Sequence, residues 1–177
     1  MKNYLFKSDR LGFRNWLASD IEKLAAINAD KEVMAFFPSI RTRQETKNFI
    51  SRMQQQFSEK GYCYFAIDKL EDDTFIGFIG LSEQKYVADF TPCIDIGWRL
   101  AKTAWNKGYA TEGAKKCLEH GLQQLQIDKI YSIAPAINTK SEHVMKKIGM
   151  RKVKTFDHPQ LLDNARLRSC VLYKIEK

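Results

Sequence analysis

The chain has 177 residues, enough for one domain with a sizeable core, and its 44% hydrophobic and 28% charged residues are the balance of an ordinary globular protein. No apolar run reaches the length of a membrane span, Met1-Lys2-Asn3 leads into no signal-peptide core, and the cysteines at 63, 93, 117 and 170 lack Cys-x-x-Cys spacing. Membrane-spanning and disulfide-framework classes are excluded, and the expectation is a reduced, cytoplasmic, single-domain protein over 1–177. The net charge of +8 calls for an anionic partner, with a phosphate-rich cofactor, nucleic acid or the ribosome all compatible.

Residues 10–16 read as a first strand. Ser19-Asp-Ile-Glu22 has the pattern of a capping box and opens a helix through about Ala29. Residues 33–38 form a loop with two adjacent phenylalanines. Thr42-Arg-Gln-Glu45 is a second capping box, whose helix keeps Phe49, Ile50, Met53 and Phe57 on one face and stops at Gly61. Strands at 62–67 and 74–81 follow, joined by a charged turn; 82–92 is irregular, and 93–100 alternates as a strand. A helix begins directly after Gly108, with Ala110, Ala114, Cys117, Leu118, Gly121, Leu122 and Leu125 spaced by threes and fours. A strand at 129–134 comes next. Thr139-Lys-Ser-Glu142 is a third capping box, Val144, Met145 and Ile148 form its helix's apolar face, and Gly149 ends it. Strands at 150–156 and 169–175 flank a polar loop that begins His158-Pro159. This order implies a mixed α/β sheet with helices on its faces.

The chemistry concentrates in the strand, turn and helix from Cys93 to Leu125. A helix start has backbone N–H groups without partners, and its dipole favours an anion; Gly108 admits a close approach and Lys107 adds charge. The turn therefore reads as a phosphate cradle, though it matches neither the P-loop nor the dinucleotide fingerprint. Asp95 interrupts the apolar run Cys93-Ile94-Asp95-Ile96 on the face opposite both isoleucines, so it needs a partner or an aqueous cleft. A general base and a solvent-facing edge aspartate both satisfy that requirement. His120, His143 and His158 share no ligand spacing, so no metal is expected. No motif of a covalent nucleophile occurs.

Asp95-Ile-Gly-Trp-Arg-Leu followed by Trp105-Asn-Lys-Gly-Tyr-Ala-Thr-Glu resembles the acetyl-CoA site of the GNAT superfamily of N-acetyltransferases. That family's turn reads Gln/Arg-x-x-Gly-x-Gly/Ala; here it is Trp105-x-x-Gly108-x-Ala110, and the Trp variant is similar to the ribosomal-protein N-acetyltransferase branch. Arg10-Leu-Gly-Phe-Arg-Asn-Trp16, Val33-Met-Ala-Phe-Phe-Pro38, Phe75-Ile-Gly-Phe-Ile-Gly-Leu81, Asn138-Thr-Lys-Ser141 and Lys147-Ile-Gly-Met150 follow in the order of that branch. The resemblance implies a GNAT fold of about seven strands and about four helices, with acetyl-CoA as cosubstrate and a primary amine, on a peptide N-terminus or a small molecule, as acceptor.

It also implies roles. The backbone of Trp98, Arg99 and Leu100 would hold the pantetheine arm and supply the oxyanion donor. Trp105, Asn106, Lys107, Gly108, Tyr109, Ala110 and Thr111 would surround the pyrophosphate, and Asn138 would bond the pantetheine amide. Asp95 would be the base, by analogy with an acid usually found there. Many family members place a Tyr seven residues after the Asn, where this chain has Met145. Ser141 fits the alternative of a hydroxyl donating to the departing sulfur, and equally an ordinary first-turn serine. Phe36, Phe37 and the loops 82–92 and 157–168 would rim the acceptor. Because of Met145 and the basic surplus, the alternative is a non-catalytic CoA-binding module, regulatory or nucleic-acid-associated. Monomer and homodimer are both compatible.

Overall fold

The computed structural model describes residues 3–177. In chain order the elements are β1 (Phe6–Lys7), β2 (Leu11–Arg14), α1 (Asp20–Ala29), α2 (Arg43–Lys60), β3 (Tyr64–Lys69), β4 (Phe75–Gln84), β5 (Cys93–Leu100), α3 (Tyr109–Glu119), β6 (Lys129–Pro135), α4 (Thr139–Lys147), β7 (Arg151–Asp157) and β8 (Ser169–Glu176). The strands form one sheet in the order β1-β2-β3-β4-β5-β6-β8-β7. The eighth strand is β1, too short for any alternation to be visible in the sequence. α3 continues through a π-helical turn, His120–Gln124, to the expected end near Leu125. Among the described residues no helix is long and apolar enough to cross a membrane.

The helix boundaries show which local signals tertiary contacts override. The capping box of α2 forms in full, with Thr42 and Glu45 bonding each other's backbone N–H, and Gly61 closes the helix in the left-handed region at φ 77°. The box read at Ser19 does not form: Ser19 makes no side-chain cap, Glu22 accepts instead from Arg43 Nε at 2.6 Å, and the neighbouring Asp20 accepts from Leu17 N at 2.8 Å. Asp20 is claimed by a buried arginine. Arg14 donates to both of its carboxylate oxygens (2.6 and 2.9 Å) and to both of Asp68 (2.7 and 3.0 Å), and all three residues are at most 3% exposed. This fork ties β2, β3 and the start of α1 together. The third box is displaced by one residue, since the cap of α4 is Asn138, whose Oδ1 accepts from Ser141 N at 3.2 Å. An asparagine oxygen is among the strongest caps and takes precedence over the following threonine.

One face of the sheet carries α1 and α2, with Trp16, Phe49, Tyr64 and Phe78 in aromatic contact there. The junction that matters for function is β5–β6, the parallel pair in an otherwise antiparallel sheet. Its register is the single pair Asp95↔Tyr131. Ser132 Oγ donates to Ile96 O at 3.0 Å just beyond it, and from there the strands part.

Candidate active site

A cavity of about 1070 Å³ opens in this fork, walled by β5, the turn 105–111 and the start of α4. The direction of each β5 peptide follows from three bonds. The carbonyls of Ile96 and Leu100 turn away from β4, accepting from Ser132 Oγ and from Trp105 Nε1 (2.9 Å), while Ala101 N donates to Ile76 O on the β4 side. Strand groups alternate with a period of two. Trp98 N–H and C=O and Leu100 N–H therefore face the open fork. Arg99 is paired with Phe78, so its backbone belongs to the β4 ladder, and its side chain lines the cavity. The family resemblance implied all three backbones for the cofactor; the alternation leaves Arg99 out.

The cradle turn is built by two left-handed residues, Asn106 at φ 59° and Gly108 at φ 81°. Glycine adopts that conformation without the Cβ clash that opposes it in other residues. Glu112 N is the first amide of α3 to bond back, to Gly108 O at 3.0 Å, and Gly108 brings no side-chain cap. The N–H groups of Tyr109, Ala110 and Thr111 thus stand without helical partners at the positive end of α3. Trp105, Asn106, Gly108 and these three residues line the cavity, and Lys107 does not. Glu112 anchors the helix start to the chain before β2, accepting from Ser8 Oγ at 2.7 Å and from Arg10 N at 2.8 Å.

Asp95 reaches the same cavity from the α1/α2 face. Its Oδ1 accepts from Tyr64 OH at 2.6 Å and from Gln84 Nε2 at 3.0 Å, while Oδ2 takes no hydrogen bond among the described residues. Burial pushes its pKa up to about 6, against the pull of these two donors. Tyr64 and Gln84 went unrecognised in the sequence. Tyr64 pairs with Gly80, and Gly80 with Gly97; a Cβ on Gly97 would stand 3.1–3.2 Å from the Tyr64 ring and hydroxyl. Two strand glycines in register therefore clear a path for the phenol across β4 to β5. Glycines inside strands signal such close approach, which was the available clue.

On the far wall, Asn138 and Ser141 line the cavity at the start of α4. Asn138 uses Oδ1 for the cap and keeps its amide donor. Ser141 Oγ makes no hydrogen bond among the described residues, and Met145 is 1% exposed behind it.

The family model described as "Acetyltransferase (GNAT) domain" matches residues 10–151. The chain belongs to the GNAT family of acetyltransferases. It is 31% identical to "Uncharacterized N-acetyltransferase YnaD" of Bacillus subtilis (strain 168) over 144 residues, 81% of this chain and 80% of that protein. A GNAT-family acetyltransferase of Bacillus anthracis matches its structure at TM-score 0.79 and 26% identity, over 96% of both chains. RimL, a ribosomal L7/L12 alpha-N-protein acetyltransferase solved with coenzyme A, shares the fold at TM-score 0.78 and 14% identity, over 98% of both chains.

The fork, cradle and carboxylate thus lie in a GNAT N-acetyltransferase. On the Asp95 side, its cavity is bounded by Phe36, Phe37, Phe49, Phe78 and Arg99. Of the segments expected to rim the acceptor, Phe36 and Phe37 line the cavity, and the loops 82–92 and 157–168 contribute no lining residue among the described residues.

Proposed function

We propose that this GNAT enzyme moves the acetyl group of acetyl-CoA to a primary α-amine by direct attack, with Asp95 accepting the proton that the amine loses. The observation that carries this is the buried Asp95 carboxylate, with a free oxygen, in one cavity with the open Trp98 peptide. The residues fit the cosubstrate. Three unpartnered N–H groups at the start of α3 suit a pyrophosphate, and the unpaired edge of β5 suits an extended amide-bearing arm.

Acetyl-CoA supplies the activated thioester. Tyr109, Ala110 and Thr111 hold its phosphates through their N–H groups, with Asn106 and Gly108 shaping the turn. Trp98 and Leu100 bond the arm, and the Trp98 N–H faces the negative charge that develops on the carbonyl oxygen. Asn138 donates its amide to the arm, and Ser141 Oγ donates to the departing sulfur. An α-amine, with a pKa of about 8, yields its proton more readily than a lysine-type amine at about 10.4. That difference and the Trp105 form of the turn support the ribosomal-protein branch and a peptide N-terminus as acceptor.

The test is thiol release from acetyl-CoA by the purified protein, with peptides, amino acids, polyamines and aminoglycosides as acceptors. Amine-dependent release establishes transfer. Tight acetyl-CoA binding without release, together with salt-sensitive RNA association, would favour the non-catalytic module.

Two substitutions separate the roles. Asn138→Ala and Ser141→Ala are each expected to lower kcat by up to about tenfold, the size of one hydrogen bond, with a smaller change in KM for acetyl-CoA. Full activity in both would refute their assignment. Gly108→Ala places a Cβ in the left-handed region at a cost of about 1–2 kcal/mol. Its nearest neighbour, Arg10 Nη2, lies at 3.4 Å, so backbone strain is the main effect. KM for acetyl-CoA should rise about fivefold or more while kcat is kept.

A further inference from the structure

Among the described residues, Arg99 has no counter-ion. Its guanidinium is held between Phe37 and Phe78, 4.1 and 5.3 Å from the ring centroids, and Nη1 donates to Asn28 Oδ1 at 2.7 Å. Asn28 is itself oriented by donating to Thr46 Oγ1 at 2.9 Å. Nε is buried with no partner, Nη2 makes no hydrogen bond, and no carboxylate forms an ion pair with Arg99 among the described residues. The contrast is Arg14, whose fork is filled by two aspartates. Burial, followed by the nearby Arg41 charge, lowers the Arg99 pKa to about 10. Even so, it remains charged at neutral pH.

A desolvated guanidinium with Nε and Nη2 unpartnered is costly by itself, and a carboxylate that accepts from Nη2 offsets that cost with a charge-assisted hydrogen bond. The Arg99 side chain shares a strand face with Asp95, four residues away, which sets their Cα atoms roughly 13 Å apart. A nitrogen at Asp95 and an anion at Arg99 are then several bonds apart in one molecule. The carboxylate of a free α-amino acid, two bonds from its nitrogen, is too close.

We propose that the acceptor carries a carboxylate several bonds from its nucleophilic nitrogen, as a peptide with Asp or Glu among its first residues does, and that Nη2 of Arg99, unbonded and not buried, binds it. This rests on the transfer reaction proposed above and names its substrate class. A polycationic amine is disfavoured at the same place by Arg99 and Arg41.

The experiment uses the full chain, acetyl-CoA and three peptides identical except for Glu, Gln or Lys near the N-terminus. Thiol release should favour the Glu peptide over the Gln peptide by roughly tenfold in kcat/KM, with the Lys peptide below both. In Arg99→Gln the Glu/Gln ratio should fall to about one, and Arg99→Lys should keep part of it. Equal use of the Glu and Gln peptides by the unaltered protein, or preference for the Lys peptide or a polyamine, overturns the Arg99 assignment and leaves acetyl transfer standing. If no amine supports release, transfer itself fails. Calorimetric binding of the N-acetylated peptides to the CoA-loaded protein then decides: tighter binding of the Glu peptide upholds the anion site, and equal binding removes it. Because the peptide series needs no variant, a folding defect in Arg99→Gln cannot obscure the result.

Discussion

Asp95→Asn should lower kcat by about 10²–10⁴-fold, the range for loss of a positioned general base, and at the same time make the protein more stable near pH 8. The two effects share one cause. Asp95 sits among apolar strand residues, and burial raises its pKa from 3.8 to about 6. At saturating amine, kcat should therefore fall on acidification with a midpoint near pH 6, where the carboxylate gains a proton. That limb should vanish in the Asn variant, leaving a dependence that follows the amine itself.

For stability the sign is the reverse of the usual aspartate. The folded protein holds this proton more tightly than the unfolded chain, so the contribution of Asp95 is greatest below pH 3.8 and is lost as pH rises to about 6. About two pKa units correspond to roughly 3 kcal/mol of cost for the buried charge at neutral pH and above. Asparagine keeps an oxygen for Tyr64 and Gln84 and carries no charge. Denaturant titrations should show the variant more stable by about 1–3 kcal/mol at pH 8, with that gain absent at pH 4. A kcat within threefold of the original would remove Asp95 as the base. Equal stability at pH 8 would mean that no buried charge is present.

Arg14→Ala should be the most damaging single change to the fold, at about 3–5 kcal/mol. Arg14 is 3% exposed, and Asp20 and Asp68 are both 0%. Removing the guanidinium leaves two carboxylates in the interior facing each other. Burial works against the charge of Arg14, but the hydrogen bonds it donates to both aspartates outweigh it and raise its pKa. For a chain of this length the expected fall in Tm is about 10 °C. Arg14→Lys should recover only part of the loss, since an ammonium cannot form both bidentate contacts. A Tm within 2 °C of the original in Arg14→Ala would show that the fork contributes little.

Whatever depends on neighbours along the chain was legible from the residues alone. Alternation over Cys93–Leu100 located β5, because side chains of a strand divide between its faces residue by residue. Thr42, Glu45 and Gly61 bounded α2, because those side chains and that φ act within one helical turn. Gly108 marked the cradle, because the left-handed conformation it adopts at the start of α3 suits few other residues. Asp95 stood out as an acid in an apolar strand, and the order of motifs carried the family.

The rest depends on pairing between distant segments. Arg43, at the start of α2, took Glu22 away from the capping box read at Ser19, and nothing within the first helix announces that competition. Tyr64 and Gln84 became partners of Asp95 through strand register, which brings Tyr64 over Gly97 from 33 positions away. The direction of the Arg99 backbone follows from which residues of β5 pair with β4. Alternation along one strand says that two sets of groups point opposite ways; only the neighbouring strand determines which set is bonded and which is left for a ligand.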